Sequence, residues 1–211
     1  MWRFTLLDFP VAVHWQFWLM TALLGGGLDS SLPLLLLWVA IVFVSILGHE
    51  LGHALAMRYF GDHRTQIILY SFGGLASGRP GRSRGQKLVI SGAGPAFSAM
   101  LGLLGWGMEH VFPLDSFMVR AGFHFWMYVN IGWTLFNLLP VIPLDGGRIS
   151  EALFGPARIA QALRLSMITA IVMAVIGLVG MGWWTALLFG MMAYANWQQL
   201  NGRTPPDLMR P

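Results

Sequence analysis

Long apolar runs, separated by short polar segments, dominate the hydropathy pattern of the chain. An apolar helix of about 20 residues crosses a hydrocarbon core of about 30 Å, and several of the runs reach that length. The stretch between Arg164 and Arg203 carries no charge. As one helix it would be about 57 Å long, so we expect it to fold back near 180–182. The pattern therefore predicts six membrane helices, at 11–28, 32–57, 88–108, 121–142, 161–180 and 183–200.

The composition agrees with a membrane protein. Hydrophobic residues make up 56% of the 211 residues, and the mean hydropathy is +0.63. Only 13 basic and 9 acidic side chains are present, too few to cover the surface of a soluble domain. The absence of cysteine excludes disulfides, thiolate metal ligands and a cysteine nucleophile. The run at 11–28 has the length of a signal peptide, but Pro10 precedes it and no small-x-small cleavage site follows, so we expect a retained helix.

The basic residues indicate an orientation in the membrane. If both termini lie in the cytoplasm, every Lys and Arg except Arg120 falls on a cytoplasmic segment, as the positive-inside rule requires. The basic run at 79–87, which includes Arg84 and Lys87, is then a cytoplasmic loop. We therefore expect a multi-pass protein of the cell membrane, inner or plasma, whose partner is the lipid bilayer. The net charge of +4 does not indicate nucleic acid, because the bases are scattered between apolar runs.

A polar motif interrupts the second run, where His49 and His53 flank Glu50. Residues four apart on a helix share one face, so the two imidazoles can bind a single divalent ion. Glu50 lies beside that position and can take a proton from a metal-bound water as a general base. An ionisable side chain at the centre of a membrane helix costs at least about 2.5–3.5 kcal/mol, and such residues are functional by default.

Two histidines do not complete a catalytic zinc site, which usually takes three protein ligands. The candidates by residue type are His14, Glu109, His110, His124, Asp145 and Glu151. Helical rise places His49 about 25 Å from the outer start of its run, in the cytoplasmic third of the bilayer. The candidates at 109, 110 and 124 fall at the opposite face, whereas His14 lies at a compatible depth and stays an alternative.

Asp145 is the favoured third ligand because of the way the fourth run ends. Asn137 lies about 24 Å from the outer start of that run, close to the depth of His49. Pro140 and Pro143 cannot continue a regular helix. The chain should therefore unwind there and keep Asp145 at the depth of the metal, where irregular backbone is tolerated if it is enclosed by protein.

Two motifs together resemble the site-2 protease family of intramembrane zinc metalloproteases. They are His49-Glu50-x-x-His53 and, later, Asn137-x-x-Pro140-x-x-Pro143-Leu144-Asp145-Gly146. The resemblance covers residues 32–150, the three central runs. It implies one Zn²⁺ bound by His49, His53 and Asp145. It also implies that Glu50 is the general base that activates a zinc-bound water, and that Asn137 positions the substrate or the developing oxyanion.

Two pairs of small residues accompany these motifs. Gly48 and Gly52 form a small-x-x-x-small pair that allows another helix to approach the second run closely. Gly94-Pro95 in the third run, with Ser98, resembles the Gly-Pro element of the family.

A short β-like stretch at 67–77 follows the second run. Its Phe72-Gly73-Gly74 turn is similar to the membrane-associated hairpin that follows the metal helix in the family. A substrate helix must unwind before it can be cut, because each of its carbonyl groups is already hydrogen-bonded. We hypothesise that the edge of this hairpin pairs with the unwound substrate by strand addition. Phe72, Gly73, Gly74 and Pro140 would then contact the substrate.

The sequence thus predicts an all-α polytopic membrane protein with a small β-hairpin after the second of six helices. We expect one transmembrane protease domain over 1–211, with its core at 32–150 and peripheral helices at 11–28, 161–180 and 183–200. It would hydrolyse a peptide bond in or near a transmembrane segment of a membrane protein and release a fragment to the cytoplasm. A membrane metal permease and an inactive relative that binds transmembrane helices stay open as alternatives. The sequence does not indicate the substrate, its regulation or the oligomeric state.

Overall fold

The computed structural model describes residues 1–25, 31–71, 73–77, 83–111 and 115–202. In chain order the elements are β1 (Trp2–Leu6), β2 (Phe9–Val13), α1 (Trp15–Leu24), α2 (Leu32–Tyr59), β3 (Gln66–Tyr70), β4 (Gly73–Ser77), α3 (Arg84–Glu109), α4 (Phe117–Asn137), α5 (Asp145–Phe154), α6 (Ile159–Ile176) and α7 (Trp183–Leu200). The chain forms two compact units. The first consists of Met1–Gly81 with Ala93–Leu135, and the second of Arg82–Gly92 with Phe136–Pro211.

Three stretches of helix in the described residues are long and apolar enough to cross a membrane. They are Leu32–Tyr59, Arg84–Glu109 and Pro156–Gly180. The expected total of six spans therefore stays a prediction. Helices α4 and α7 have 21 and 18 residues, near the length of about 20 that a span needs. Helix α1 has only 10 residues and is about 15 Å long, half the thickness of the hydrocarbon core.

The expectation of a helix over 11–28 is wrong at its start, because 9–13 form strand β2 and α1 begins at Trp15. Phe9, Val11 and Val13 are buried, while the residues between them are more exposed, which is the alternation of a strand. The residues on both sides of 14 form one apolar run, and periodicity alone cannot divide such a run into strand and helix. The end of the expected helix, 26–28, lies outside the described residues.

The sequence predicted an all-α fold with a single β-hairpin, whereas the structure contains a four-stranded sheet. Its order is β1-β2-β3-β4, with antiparallel pairs at both sides and a parallel pair, β2 with β3, in the middle. The expected hairpin at 67–77 is confirmed as β3 and β4, although Phe72 lies outside the described residues. The N-terminal hairpin pairs with β3, so within the described chain β4 lies at an edge of the sheet.

The second unit contains the end of α4 and the helices α5 to α7. As expected, the fourth helix unwinds before Asp145, but it ends at Asn137 and not at 142. The predicted fold-back near 180–182 is also confirmed, because a π-helical turn follows α6 and the chain reverses at Gly182, whose φ is +99°. Irregular residues at 138–144 pack against α6 and α7, where Val141 lies in one core cluster with Ala170 and Phe189.

The basic run at 79–87 is not a loop throughout, since Arg84 and Lys87 lie in the first turn of α3. The Arg84 guanidinium donates from Nε to the backbone oxygen of Ala152 over 2.9 Å, and from Nη2 to that of Leu153. Both carbonyls belong to the last turn of α5, which has no helical donors for them. Arg84 therefore caps the C-terminus of α5, where a positive charge is also favoured by the helix dipole.

We expect Arg84→Gln to lower the melting temperature of the purified protein by about 2–4 °C, since about 1 kcal/mol is lost with the two hydrogen bonds. Arg84→Lys should fall in between, because an ammonium keeps the charge but lacks the planar fork of donors. Unfolding can be followed by tryptophan fluorescence, as the chain has 10 Trp. Lys87→Gln, in the same helical turn, is the control. Equal melting temperatures for Arg84→Gln and Lys87→Gln would contradict the capping role.

Candidate metal centre

Helix α2 places the two predicted histidine ligands on one face. His49 and His53 are both buried, and their Nε2 atoms lie 3.2 Å apart. In a tetrahedral zinc site with Zn–N bonds of 2.0–2.1 Å, two nitrogen ligands are separated by about 3.3–3.4 Å. The two imidazoles therefore already have the separation that a shared zinc ion requires.

Ser98 of α3 orients the first of these rings. Its Oγ lies 3.0 Å from Nδ1 of His49, and both side chains are buried. When Nε2 binds a metal ion, Nδ1 carries the proton and donates to a neighbouring acceptor, which fixes the tautomer and the ring orientation. The hydroxyl of Ser98 thus leaves Nε2 of His49 for the metal.

A glycine borders the space beside both Nε2 atoms. A Cβ atom built on Gly94 would collide with Nε2 of His53 and would lie 2.8 Å from Nε2 of His49. Gly94 has only a hydrogen where other residues have Cβ. The backbone of α3 can therefore lie close to both imidazole rings and still leave space for an ion beside their Nε2 atoms. The residues present in this unit therefore fit a metal ion by donor type, by donor separation and by the room left at Gly94.

Glu50, the predicted general base, is buried next to strand β4. A Cβ atom on Gly74 would collide with Cγ of Glu50 and would lie 2.8 Å from its Oε1. The neighbouring Gly73 lies against the ring of Trp133, whose centroid is 6.3 Å from that of His49. The structure thus brings Gly74 of the expected hairpin against Glu50, while Gly73 lies against Trp133.

Polar side chains that the motif analysis missed hold α2 at the level of the site. Asn130 of α4 donates from Nδ2 to Oγ of Ser45 over 2.9 Å, one turn before His49. Thr134 of α4 donates to the backbone oxygen of Pro95 over 3.4 Å and to that of Asn130 over 2.8 Å. The available signal was the presence of polar residues inside apolar runs, where each needs a partner.

The remaining predicted residues belong to the second unit. Asn137 is the last residue of α4 and Asp145 the first of α5, and both are buried, while Pro140 is half-buried between them. A Cβ atom on Gly146 would collide with backbone atoms of Leu138 and Leu139. The first turn of α5 therefore lies directly on the irregular segment that precedes it, and Asp145 lies at a helix N-terminus, where negative charge is favoured.

The three predicted ligands, His49 and His53 in the first unit and Asp145 in the second, are all buried and all carry a metal-binding atom. Of the other candidates, His14 precedes α1, and its backbone N–H donates to the backbone oxygen of Leu69 over 2.9 Å. Glu151 lies two turns after Asp145 on α5, where partial burial raises the pKa of its carboxyl although the charges of Arg148 and Lys87 oppose the rise. Within the described residues, neither joins a group of three metal-binding side chains.

Known proteins share both the sequence and the fold. Peptidase family M50 matches residues 107–181. A putative zinc metalloprotease of Synechocystis sp. is 34% identical over 133 residues, which are 62% of this chain and 34% of that protein. The putative zinc metalloprotease YwhC of Bacillus subtilis is 30% identical over 174 residues, which are 65% of this chain and 79% of YwhC. The chain thus spans about a third of the Synechocystis protein and most of YwhC.

Among solved structures, the site-2 protease from Methanocaldococcus jannaschii is similar over 94% of both chains, with a TM-score of 0.63 and 23% identity. At that identity the similarity concerns the fold. The sequence match over most of YwhC shows the family, and the M50 match agrees with it: the chain belongs to the site-2 protease family, peptidase family M50.

Proposed function

We propose that this protein is an intramembrane zinc metalloprotease that hydrolyses a peptide bond in or near a transmembrane segment of another membrane protein. The observation that carries the proposal is the pair of buried Nε2 atoms of His49 and His53, 3.2 Å apart, with Gly94 leaving room beside them. The names of the Synechocystis and Bacillus subtilis relatives, both putative zinc metalloproteases, support it.

His49, His53 and Asp145 would hold one Zn²⁺, two as neutral imidazoles and one as a carboxylate. Support for Asp145 comes from its place in the second motif, its burial, and the end of α4 at Asn137. A bound zinc ion supplies Lewis acidity, which polarises the scissile carbonyl and makes a water acidic near neutral pH.

Glu50 would accept the proton of the attacking water and pass it to the leaving amine. Its buried position next to His49 suits that role, since no bulk water competes for the carboxylate. Asn137 would donate from its side-chain amide to the substrate backbone or to the oxyanion that forms during attack.

The substrate would add as a strand to the free edge of β4. Neighbouring strands lie about 4.8 Å apart, so a chain paired with β4 runs beside the strand that contacts Glu50. Gly73 and Gly74 would then contact the substrate backbone, together with Phe72 and Pro140. Strand addition also stabilises an unwound substrate, because its free N–H and C=O groups find partners on the edge strand.

We further propose a multi-pass arrangement in the cell membrane with both termini in the cytoplasm, so that one product is released there. This orientation is supported by the distribution of Lys and Arg along the chain.

The variant Glu50→Gln should keep about one zinc per chain and lose cleavage by at least about 100-fold, because proton transfer by a positioned side chain contributes that much or more. Zinc content can be measured by atomic absorption, and cleavage with a panel of single-span peptides in detergent. Equal activity in the variant and the wild type would contradict the proposal. A zinc-loaded wild type that cleaves none of the panel would instead favour an inactive relative that binds transmembrane helices.

Gly94→Ala should bind zinc at least about tenfold more weakly than the wild type, because the added methyl collides with the two ligand nitrogens and takes the space of the ion. Gly92→Ala is the matched control in the same helix, since a Cβ atom there meets open space. Competition with a chromophoric chelator measures both affinities, and tryptophan fluorescence confirms folding. Wild-type zinc affinity in Gly94→Ala would disprove the placement of the ion.

Leu75→Pro should reduce the cleavage rate at least about tenfold at unchanged zinc content, because proline removes a backbone donor from β4 and disturbs its edge. Leu75→Ala, which keeps the backbone donor, should retain most of the activity. Initial rates on a cleavable single-span peptide, over a range of peptide concentrations, compare the two. If Leu75→Pro cleaves the peptide at the wild-type rate, the strand-addition step is wrong.

A further inference from the structure

The segment 138–144 is irregular backbone between α4 and α5. Pro140 and Pro143 have no N–H donors, and the other backbone groups need partners where water is scarce. Four of these groups are satisfied inside the segment by two hydrogen bonds, since Val141 donates to Leu139 and Leu144 donates to Val141, each over 2.7 Å.

Both polar backbone groups of Ile142 are bound by side chains of other helices. Its N–H donates to Oγ of Ser166 on α6 over 2.7 Å, and its carbonyl accepts from Nδ2 of Asn196 on α7 over 3.0 Å. Asn196 also donates to the backbone oxygen of Met192 over 2.7 Å, a bond that holds the amide in place. Side chains of α6 and α7 thus bind the N–H and the carbonyl of the same residue.

The side-chain partners in these two hydrogen bonds are buried, whereas Ile142 is half-buried. Ser166 is 0% exposed and Asn196 is 1% exposed. A hydrogen bond to a buried side chain is stronger than one in water, and its loss leaves a buried polar group unsatisfied. Each contact therefore restrains Ile142 more than a surface contact of the same length would.

The position of Ile142 affects the position of Asp145, because the first turn of α5 packs on the backbone at 141–142. A Cβ atom on Gly147 would press on backbone atoms of Val141 and Ile142, so the first turn of α5 rests on the 141–142 peptide. Ser166 binds the N–H of that peptide, and Asn196 binds the carbonyl of the next one. Asp145 is the first residue of that turn. A shift of Ile142 would consequently move the start of α5 and the carboxylate with it.

We propose that Ser166 and Asn196 are positioning residues that hold Ile142 and, through it, Asp145. We name the pair the Ile142 clamp. The inference rests on the proposed function, because it takes Asp145 as the third zinc ligand. It gives α6 and α7, which the sequence placed at the periphery, a role in zinc binding. Second-layer partners of metal ligands typically change metal affinity or activity by about 10–100-fold when they are replaced.

The test compares five variants of the 211-residue chain. Ser166→Ala and Asn196→Leu each remove one half of the clamp, and Ser166→Thr keeps a hydroxyl at the same position. Thr169→Ala removes a hydroxyl from the next turn of α6 and is the matched control. Hydrogen exchange followed by mass spectrometry reports on a peptide that covers 138–145, and chelator competition measures zinc affinity.

We expect Ser166→Ala and Asn196→Leu to speed exchange in 138–145 and to weaken zinc binding about tenfold or more. In the loaded enzyme kcat should fall while KM changes little, because the metal site and not the substrate edge is disturbed. Ser166→Thr should restore the zinc affinity, and Thr169→Ala should match the wild type. If Asn196→Leu fails to fold, the three serine and threonine variants decide the question alone.

Asp145→Asn separates the failure of this proposal from the failure of the proposed function. If it loses zinc affinity while Ser166→Ala and Asn196→Leu keep the wild-type affinity and exchange, the Ile142 clamp is wrong. If Asp145→Asn itself binds zinc as the wild type does, the proposed ligand set is wrong. In that case, faster hydrogen exchange of 138–145 in Ser166→Ala would still show that Ser166 restrains Ile142.

Discussion

An apolar environment offers a polar group no partner except another part of the protein, and this constraint connects most of the features described above. Ser98 is bound to the ring of His49, Asn130 to Ser45, and the backbone of Ile142 to Ser166 and Asn196. In water each contact would be worth about 1 kcal/mol, whereas an unmade hydrogen bond in the interior costs the full desolvation of the group. These polar contacts therefore restrain α2 against α3 and α4, and the segment 138–144 against α6 and α7.

The candidate site residues lie on segments that differ in length and regularity. Helix α2 is a continuous 28-residue helix, so its two histidines keep their spacing whatever happens at its ends. Strand β4 has only five residues and the segment 138–144 has no regular structure, so both depend on neighbours for their position. Under the proposed function, this combination suits an enzyme whose substrate must change shape before it reacts.

The features that could be predicted from the sequence are those in which spacing or residue type leaves one solution. The four-residue interval between His49 and His53, the prolines that make the chain unwind before Asp145, and the uncharged stretch that must reverse near Gly182 are of this kind. The N-terminal hairpin was missed because its alternating residues merge with the apolar start of α1, so nothing marks the change of period. Ser166 and Asn196 were missed because their function depends on a contact between distant segments, which no local pattern encodes.

The order of the sheet gives its two ends different relations to Glu50. Strand β4 lies against the carboxylate, whereas β1 is three strands away, a distance of about 14 Å at the usual strand spacing. An extended peptide could lengthen the sheet at either end, yet only the β4 end brings it close to Glu50. The N-terminal hairpin pairs with the side of β3 that β4 does not occupy, so the two ends of the sheet lie at different distances from Glu50. Under the proposed function, a peptide paired with β1 would remain uncut and would leave the edge of β4 open to other peptides.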